Sequence, residues 1–318
     1  EAAAMAEISG LRAIFSPQLI DDPVGPGESF ESSLGFIERW KDRVPGRIQA
    51  WFGPHAMYSC TESTLRKVGK VARDLGVGIH IHLAETPFEV HWVAERSGGK
   101  TPAEHLDDLI GLDTDVLAAH CIEMTPSDMD LLARTGVGAA HCPTSNAKLG
   151  NGIAKVVEMQ ARGVKVGLGT DSNMTNNNLD MLEELRMASL VQKQLLRDPA
   201  VMSSAQSLRL ATQGSADALG MGHLVGSLEV GKRADVIVVD LSAPHTRPIV
   251  EFGRTNIVEQ LVWSANGSDV RDTIVDGKVL MRDRQIQTLR ISDLANQVDG
   301  PLVDLLKRAG ILEKRFAD

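Results

Sequence analysis

Positive charge is scarce in this 318-residue chain: 33 Lys and Arg stand against 42 Asp and Glu, a net charge of −9. No basic patch large enough to offset phosphate is available, which disfavours nucleic acid and anionic membrane surfaces as partners. Cysteine is rare too. Three widely spaced residues, Cys60, Cys121 and Cys142, argue against a disulfide scaffold and for a reducing, cytoplasmic compartment. No apolar run approaches the ~18 residues of a membrane span. The opening stretch EAAAMAEISG has no basic end, apolar core or cleavage pattern, so it reads as the tail of a helix entered midway rather than a secretory signal.

What is present is an ordinary globular composition, 43% hydrophobic and 24% charged, long enough for one large domain and a smaller one. Short apolar strands are expected at 11–16, 47–53, 77–83, 115–120, 136–141 and 164–170, with helical stretches between them. The clearest helix runs from Glu62 to Leu75, capped by Thr61 and stopped by Gly76. Another follows Asn176-Asn177-Asn178 and extends to about Leu196. Strand, helix, strand at this spacing means parallel βαβ units, and polar residues gather just past the strand ends, which points to an α/β fold of the (β/α)₈ TIM-barrel type. Six strands are countable where a closed barrel needs eight, so two units, about 60 residues, are expected before residue 1. Residues 1–222 read as the barrel domain. Residues 223–290 (VGSLEVGKRADVIVVD, VRDTIVDGKVLMRDRQIQT) read as half of a small composite β-sandwich domain, and 291–318 as a helical tail broken near Gly300-Pro301.

The chemistry-bearing residues sit at strand ends. On GIHIHLAE, alternation sends His80 and His82 into the barrel, His82 nearer the rim, with Glu85 at the mouth. On LAAHC, Val116, Ala118 and His120 are expected to share the inward face. On GVGAAHC, Val137, Ala139 and His141 are expected to do the same, with Cys121 and Cys142 outside. On KVGLGTDSN, Gly167, Gly169 and Asp171 face inward. An aspartate ending a strand lined by glycines reads as a metal ligand or as a base for metal-bound water, against the plainer role of a turn residue. His55, beside Pro54, is open between a substrate contact and a loop histidine. The 144–152 stretch TSNAKLGNG has the Gly and Asn content of a mobile lid.

Taken in order, GPHAMYSC, HIHLAET, AAHC, HCPTSNAKLGNG, GLGTDSNMTNNNLDMLEELRMA, ATQGSADALG and GSLEVGKRADVIVVD resemble the amidohydrolase superfamily. The match is closest to the branch of S-adenosylhomocysteine/methylthioadenosine deaminases, guanine deaminases and triazine hydrolases, and it covers about residues 47–280. The resemblance implies His82 and Asp171 as metal ligands, Glu85 as proton shuttle to a ring nitrogen, and His120 as a residue that assists the water or the attacked carbon. It implies His55 and His141 in the substrate pocket, and a homo-oligomer. It also implies one divalent metal ion, zinc or iron, whose hydroxide attacks an amino-bearing ring carbon of a small heterocycle and releases ammonia. The His-x-His ligand pair that the resemblance implies on the first strand is absent, since His80-Ile81-His82 lies on the fifth-strand pattern. Two alternatives stand beside the deaminase: a triazine-type hydrolase that removes alkylamine or halide, and an inactive fragment or non-catalytic barrel module.

Overall fold

A computed structural model describes residues 2–21, 27–250, 253 and 255–310. Its strands are β1 (Ala13–Phe15), β2 (Gln18–Leu19), β3 (Ile48–Ala50), β4 (Gly53–Pro54), β5 (Ile79–Leu83), β6 (Val116–His120), β7 (Gly138–His141), β8 (Lys165–Leu168), β9 (Val236–Val239), β10 (Val270–Val275), β11 (Lys278–Arg282) and β12 (Gln285–Ile286). The helices are α1 (Ala2–Ser9), α2 (Phe30–Trp40), α3 (Glu62–Leu75), α4 (Pro87–Ser97), α5 (Pro102–Ile110), α6 (Pro126–Thr135), α7 (Pro143–Leu149), α8 (Val156–Ala161), α9 (Met181–Leu196), α10 (Ser204–Arg209), α11 (Ser215–Ala218), α12 (Ile257–Trp263) and α13 (Ile291–Arg308).

All six expected barrel strands form. Two are interrupted, so that β1 and β2 run as one line beside β3 and β4, and a bridge from Phe52 to Ile79 joins that pair to β5. From β5 to β8 the pairing is parallel and in chain order. The result is an α/β, TIM-barrel-like arc with a small antiparallel sheet, β12-β11-β10-β9, attached. Arg12, just before β1, ties the two together by forking onto Asp235 at 2.5 and 2.8 Å.

The helices form for local reasons. Thr61 caps α3 by accepting the Thr64 amide, and Gly76 ends it in the left-handed conformation. Thr101 and Thr125 close reciprocal capping boxes on α5 and α6, each followed by proline in the first turn. These helices cover one face of the strands. Ile79, Ile81, Val116, Ala118, Val137, Ala139 and Val166 share a single core with Leu65, Leu106, Met129 and Leu185.

Two expectations fail here. The tail does not break at Gly300-Pro301: α13 passes through Pro301. Gly300 lacks the Cβ that crowds a helical residue before proline. Residues 311–318 of that tail lie outside the described residues. The second failure concerns strand faces. Cα partners in register are His80 with Leu117, His82 with Ala119, and Ala119 with Ala140. The barrel interior is therefore lined by Leu117 and Ala119 on β6 and by Gly138 and Ala140 on β7, one residue out of step with expectation. No helix among the described residues is long and apolar enough to cross a membrane.

Candidate metal centre

Four of the expected residues meet at the C-terminal ends of β5, β6 and β8. His82 reaches the site by strand alternation. Its Nδ1 lies 2.6 Å from the His55 carbonyl and donates to it, which leaves Nε2 for the cavity. His120 arrives by a different route. The face of β6 that would carry it is the helix side, but His120 and Cys121 both adopt left-handed backbone (φ 72° and 50°), and this twist turns the imidazole over the rim. The His120 ring stacks on His82 at 5.3 Å between centroids. Its Nδ1 lies 2.9 Å from Asn146 Oδ1.

Left-handed backbone recurs at the rim. Ala84 (φ 50°) follows β5 and Asp171 (φ 61°) follows β8. Non-glycine residues in this region cost free energy, and such strain gathers at functional sites. At Ala84 it is held by Glu89, a fully buried carboxylate that accepts the amides of Ala84 and Glu85 at 3.0 and 2.9 Å. Burial pushes Glu89 up to about 7.

The acidic groups complete the site. Glu85 Oε1 lies 3.7 Å from His120 Nε2 and accepts Asn151 Nδ2 at 2.8 Å. Asp171 Oδ2 lies 4.0 Å from the same Nε2 and accepts the Ser145 hydroxyl at 2.6 Å. Burial works to raise the Asp171 carboxyl, but the Ser145 hydroxyl, the Ser172 amide and His120 outweigh it and hold the group below its ordinary value.

Ligand atoms of His82, Glu85 and His120 lie within 4.8 Å of one another, a set that can hold one metal ion. The donor chemistry fits a divalent cation, because both imidazoles have Nδ1 engaged and present Nε2, and the Glu85 carboxylate completes the set, with Asp171 beside His120. The cavity beside them measures about 200 Å³ and is lined by His80, His82, His120, Cys142 and Asp171. Cys142 thus faces the cavity rather than the outside, as its strand's shifted face requires. His80, in the deeper layer, is pushed down to about 4 by burial, then by His82 and His120, so it is neutral at pH 7.

The two expected pocket histidines part company. His55 packs against His82 at 4.7 Å between ring centroids, and its Nδ1 pairs with Ser59 Oγ at 2.9 Å. Burial, then His82, lowers it to about 4. His141 is elsewhere. Gly138 and Ala140 take the interior face of β7, so His141 points to the helix side, into a second cavity of about 320 Å³ with Asn146, Ile153 and Val191. It is buried, and neither ring nitrogen has a partner among the described residues.

The 144–152 stretch is not an open lid. Most of it is α7, with Pro143 in the first turn and Gly150 as its left-handed cap. Alternation along the strands does not point to Ser145, Asn146, Asn151 or Glu89, which lie outside them. The only available signals were the Pro-to-Gly spacing of a short helix and a Glu three residues after Thr86, the α4 cap.

Comparison with known proteins agrees with this geometry. The family model described as "Amidohydrolase family" matches residues 2–280. A 5-methylthioadenosine/S-adenosylhomocysteine deaminase of Pelotomaculum thermopropionicum is 44% identical over 288 residues, 90% of this chain and 65% of that protein. A 5'-deoxyadenosine deaminase of Methanosarcina mazei is 40% identical over 311 residues, 97% of this chain and 70% of that one. Among solved structures, an adenosine deaminase from Xanthomonas campestris with bound zinc superposes with a TM-score of 0.85 at 32% identity, covering 93% of this chain and 66% of that one. The chain therefore spans about two thirds of the length of the relatives it matches. With the match running through every strand that carries His82, Glu85, His120 and Asp171, this chain belongs to the amidohydrolase family.

Proposed function

We propose that this chain carries the reacting face of a metal-dependent aminohydrolase that acts on an adenosine-type nucleoside. Water replaces the exocyclic amine of the purine, and ammonia leaves. The observation that carries this reading is the convergence of two imidazoles and two carboxylates, from the ends of three strands, around His120 Nε2. Relatives 40–44% identical, named as deaminases of 5-methylthioadenosine, S-adenosylhomocysteine and 5'-deoxyadenosine, support the substrate class. Zinc is the ion of the similar Xanthomonas structure, and this N/O donor set suits it.

His82 and Asp171 would hold the metal, with His120 Nε2 facing it. A bound divalent ion supplies Lewis acidity and makes water a nucleophile near neutral pH. The protein's own groups do the rest. Asp171, ionised at neutral pH, accepts a proton from the attacking water. Glu85, with one oxygen held by Asn151, protonates the adjacent ring nitrogen and later passes a proton to the departing amine. His120 assists the water through Nε2. Neutral His55 and His80 line the reacting groups without adding cationic charge.

The test is ammonia release from adenosine, 5'-methylthioadenosine, S-adenosylhomocysteine, 5'-deoxyadenosine and guanine by the zinc-loaded protein, with amino- and chlorotriazines assayed in parallel. Turnover of the adenine nucleosides is the expected result. Turnover of triazines alone would transfer the site to the alternative leaving-group chemistry. A folded, zinc-loaded protein that turns over none of them would overturn the reading.

A further inference from the structure

Helix α7 and the loop after it touch every reacting group of the site except His82. Ser145 and Asn146 are adjacent on α7 and fully buried. Ser145 donates its hydroxyl to Asp171 at the end of β8, and Asn146 meets His120 at the end of β6. After the turn at Gly150, Asn151 donates to Glu85 beyond β5. The outer side of α7 is fastened separately, Lys148 Nζ donating to the Met174 carbonyl and to Asn177 Oδ1 at 2.9 and 2.5 Å. One short segment, anchored on both sides, thus spans the ends of three strands and holds a side chain at each.

The Asn146 contact has the sharpest chemical consequence. A carboxamide oxygen is only an acceptor, so the His120 nitrogen facing it must carry the proton. The lone pair is then on Nε2, the nitrogen that lies 3.7 Å from Glu85 and 4.0 Å from Asp171. Turned the other way, Asn146 would donate to Nδ1, and Nε2 would carry a hydrogen into the space where a cation must sit. His120 ends β6, in register with Leu83, and its left-handed backbone turns the ring away from the strand's own face, so Asn146 supports it from outside β6.

We propose that Asn146 is a positioning residue of this centre, acting through His120: its side-chain oxygen holds the Nδ1-protonated tautomer and aims Nε2 at the metal. Ser145 and Asn151 do the corresponding work for Asp171 and Glu85 from the same segment. The proposal rests on the metal centre described above and deepens the aminohydrolase reading.

Three proteins test it: wild type, Asn146→Ala and Asn146→Asp. The first readout needs no metal and no turnover: the ¹⁵N shifts of the His120 imidazole, assigned by its loss in His120→Gln. Wild type and Asn146→Asp are expected to show the Nδ1-protonated form, and Asn146→Ala to lose it. The second is zinc affinity by competition with a chromogenic chelator. Loss of an outer-shell partner of this kind weakens binding about 10–100-fold, and Asn146→Asp, which keeps the acceptor, is expected to restore it. An unchanged tautomer and unchanged affinity in Asn146→Ala would overturn the proposal, as would an Asn146→Asp protein no better than Asn146→Ala. If Asn146→Ala fails to fold, the comparison of Asn146→Asp with Asn146→Leu decides by the same two readouts. A wild-type protein that shows the expected tautomer but deaminates nothing would leave Asn146 in its role and remove the aminohydrolase reading.

Discussion

Acid is expected to destabilise this fold through His141, and the effect can be isolated by substitution. The imidazole is 1% exposed, with both nitrogens unpaired among the described residues, in a cavity walled by Pro143, Ile153 and Val191. Burial, with a smaller contribution from His120, lowers its pKa from 6.5 to about 3. The unfolded chain therefore binds a proton below pH 6.5 that the folded chain refuses. Stability from this group is complete above pH 6.5 and is lost as the pH falls towards 3. Two pH units below the unfolded value, at pH 4.5, the loss amounts to roughly 2.5–3 kcal/mol, at about 1.4 kcal/mol per unit. His55 and His80, each lowered to about 4, titrate in the same direction, so wild type alone cannot assign the effect. The assay is urea denaturation at pH 7.5 and 4.5 for wild type and His141→Gln. The substitution costs something at both values, but the pH-dependent loss should be smaller in the variant by that amount. Equal losses in the two proteins would refute the claim that His141 is buried neutral.

Three further outcomes follow from the same structure. Asp171→Asn removes a carboxylate that Ser145 and Ser172 hold ionised, and turnover should fall by about 10²–10⁴-fold. Measured by elemental analysis, zinc should be depleted more in Asp171→Asn than in Glu85→Gln; the reverse order would exchange the roles of the two carboxylates. Gly69→Ala places a Cβ 2.3 Å from the Ile110 carbonyl oxygen, a backbone atom that cannot rotate away. The clash between α3 and α5 should outweigh the ~1 kcal/mol helix-propensity gain and leave the protein about 1–3 kcal/mol less stable, read as a lowered urea midpoint.

What the sequence determined by itself was local. Thr61 and Gly76 bound α3 to the residue, since capping depends only on the few residues that make it. The alternation on β5 placed His82 correctly, because its two faces differ: Ile79, Ile81 and Leu83 are buried and the histidines between them are not. The glycines before Asp171 mark a strand end, and the fold brings that end to the same cavity. On β6 that signal is absent, as all five residues are buried and nothing in their polarity tells one face from the other. On β7 it is nearly absent, Ala140 alone being less than buried. Their orientation is decided by the register of β6 with β5 and of β7 with β6, between residues far apart in the chain, and it runs one residue away from the alternation that would turn His141 inward. His120 reached the site only because its backbone leaves the strand conformation, which no side-chain pattern encodes. The same holds for α7. Its Gly and Asn content suits a mobile loop, and what ties it down is the set of partners at the ends of three distant strands. Hydrogen bonds between segments far apart in the chain form only when the fold brings them together, so tertiary structure alone decided how the metal centre is held.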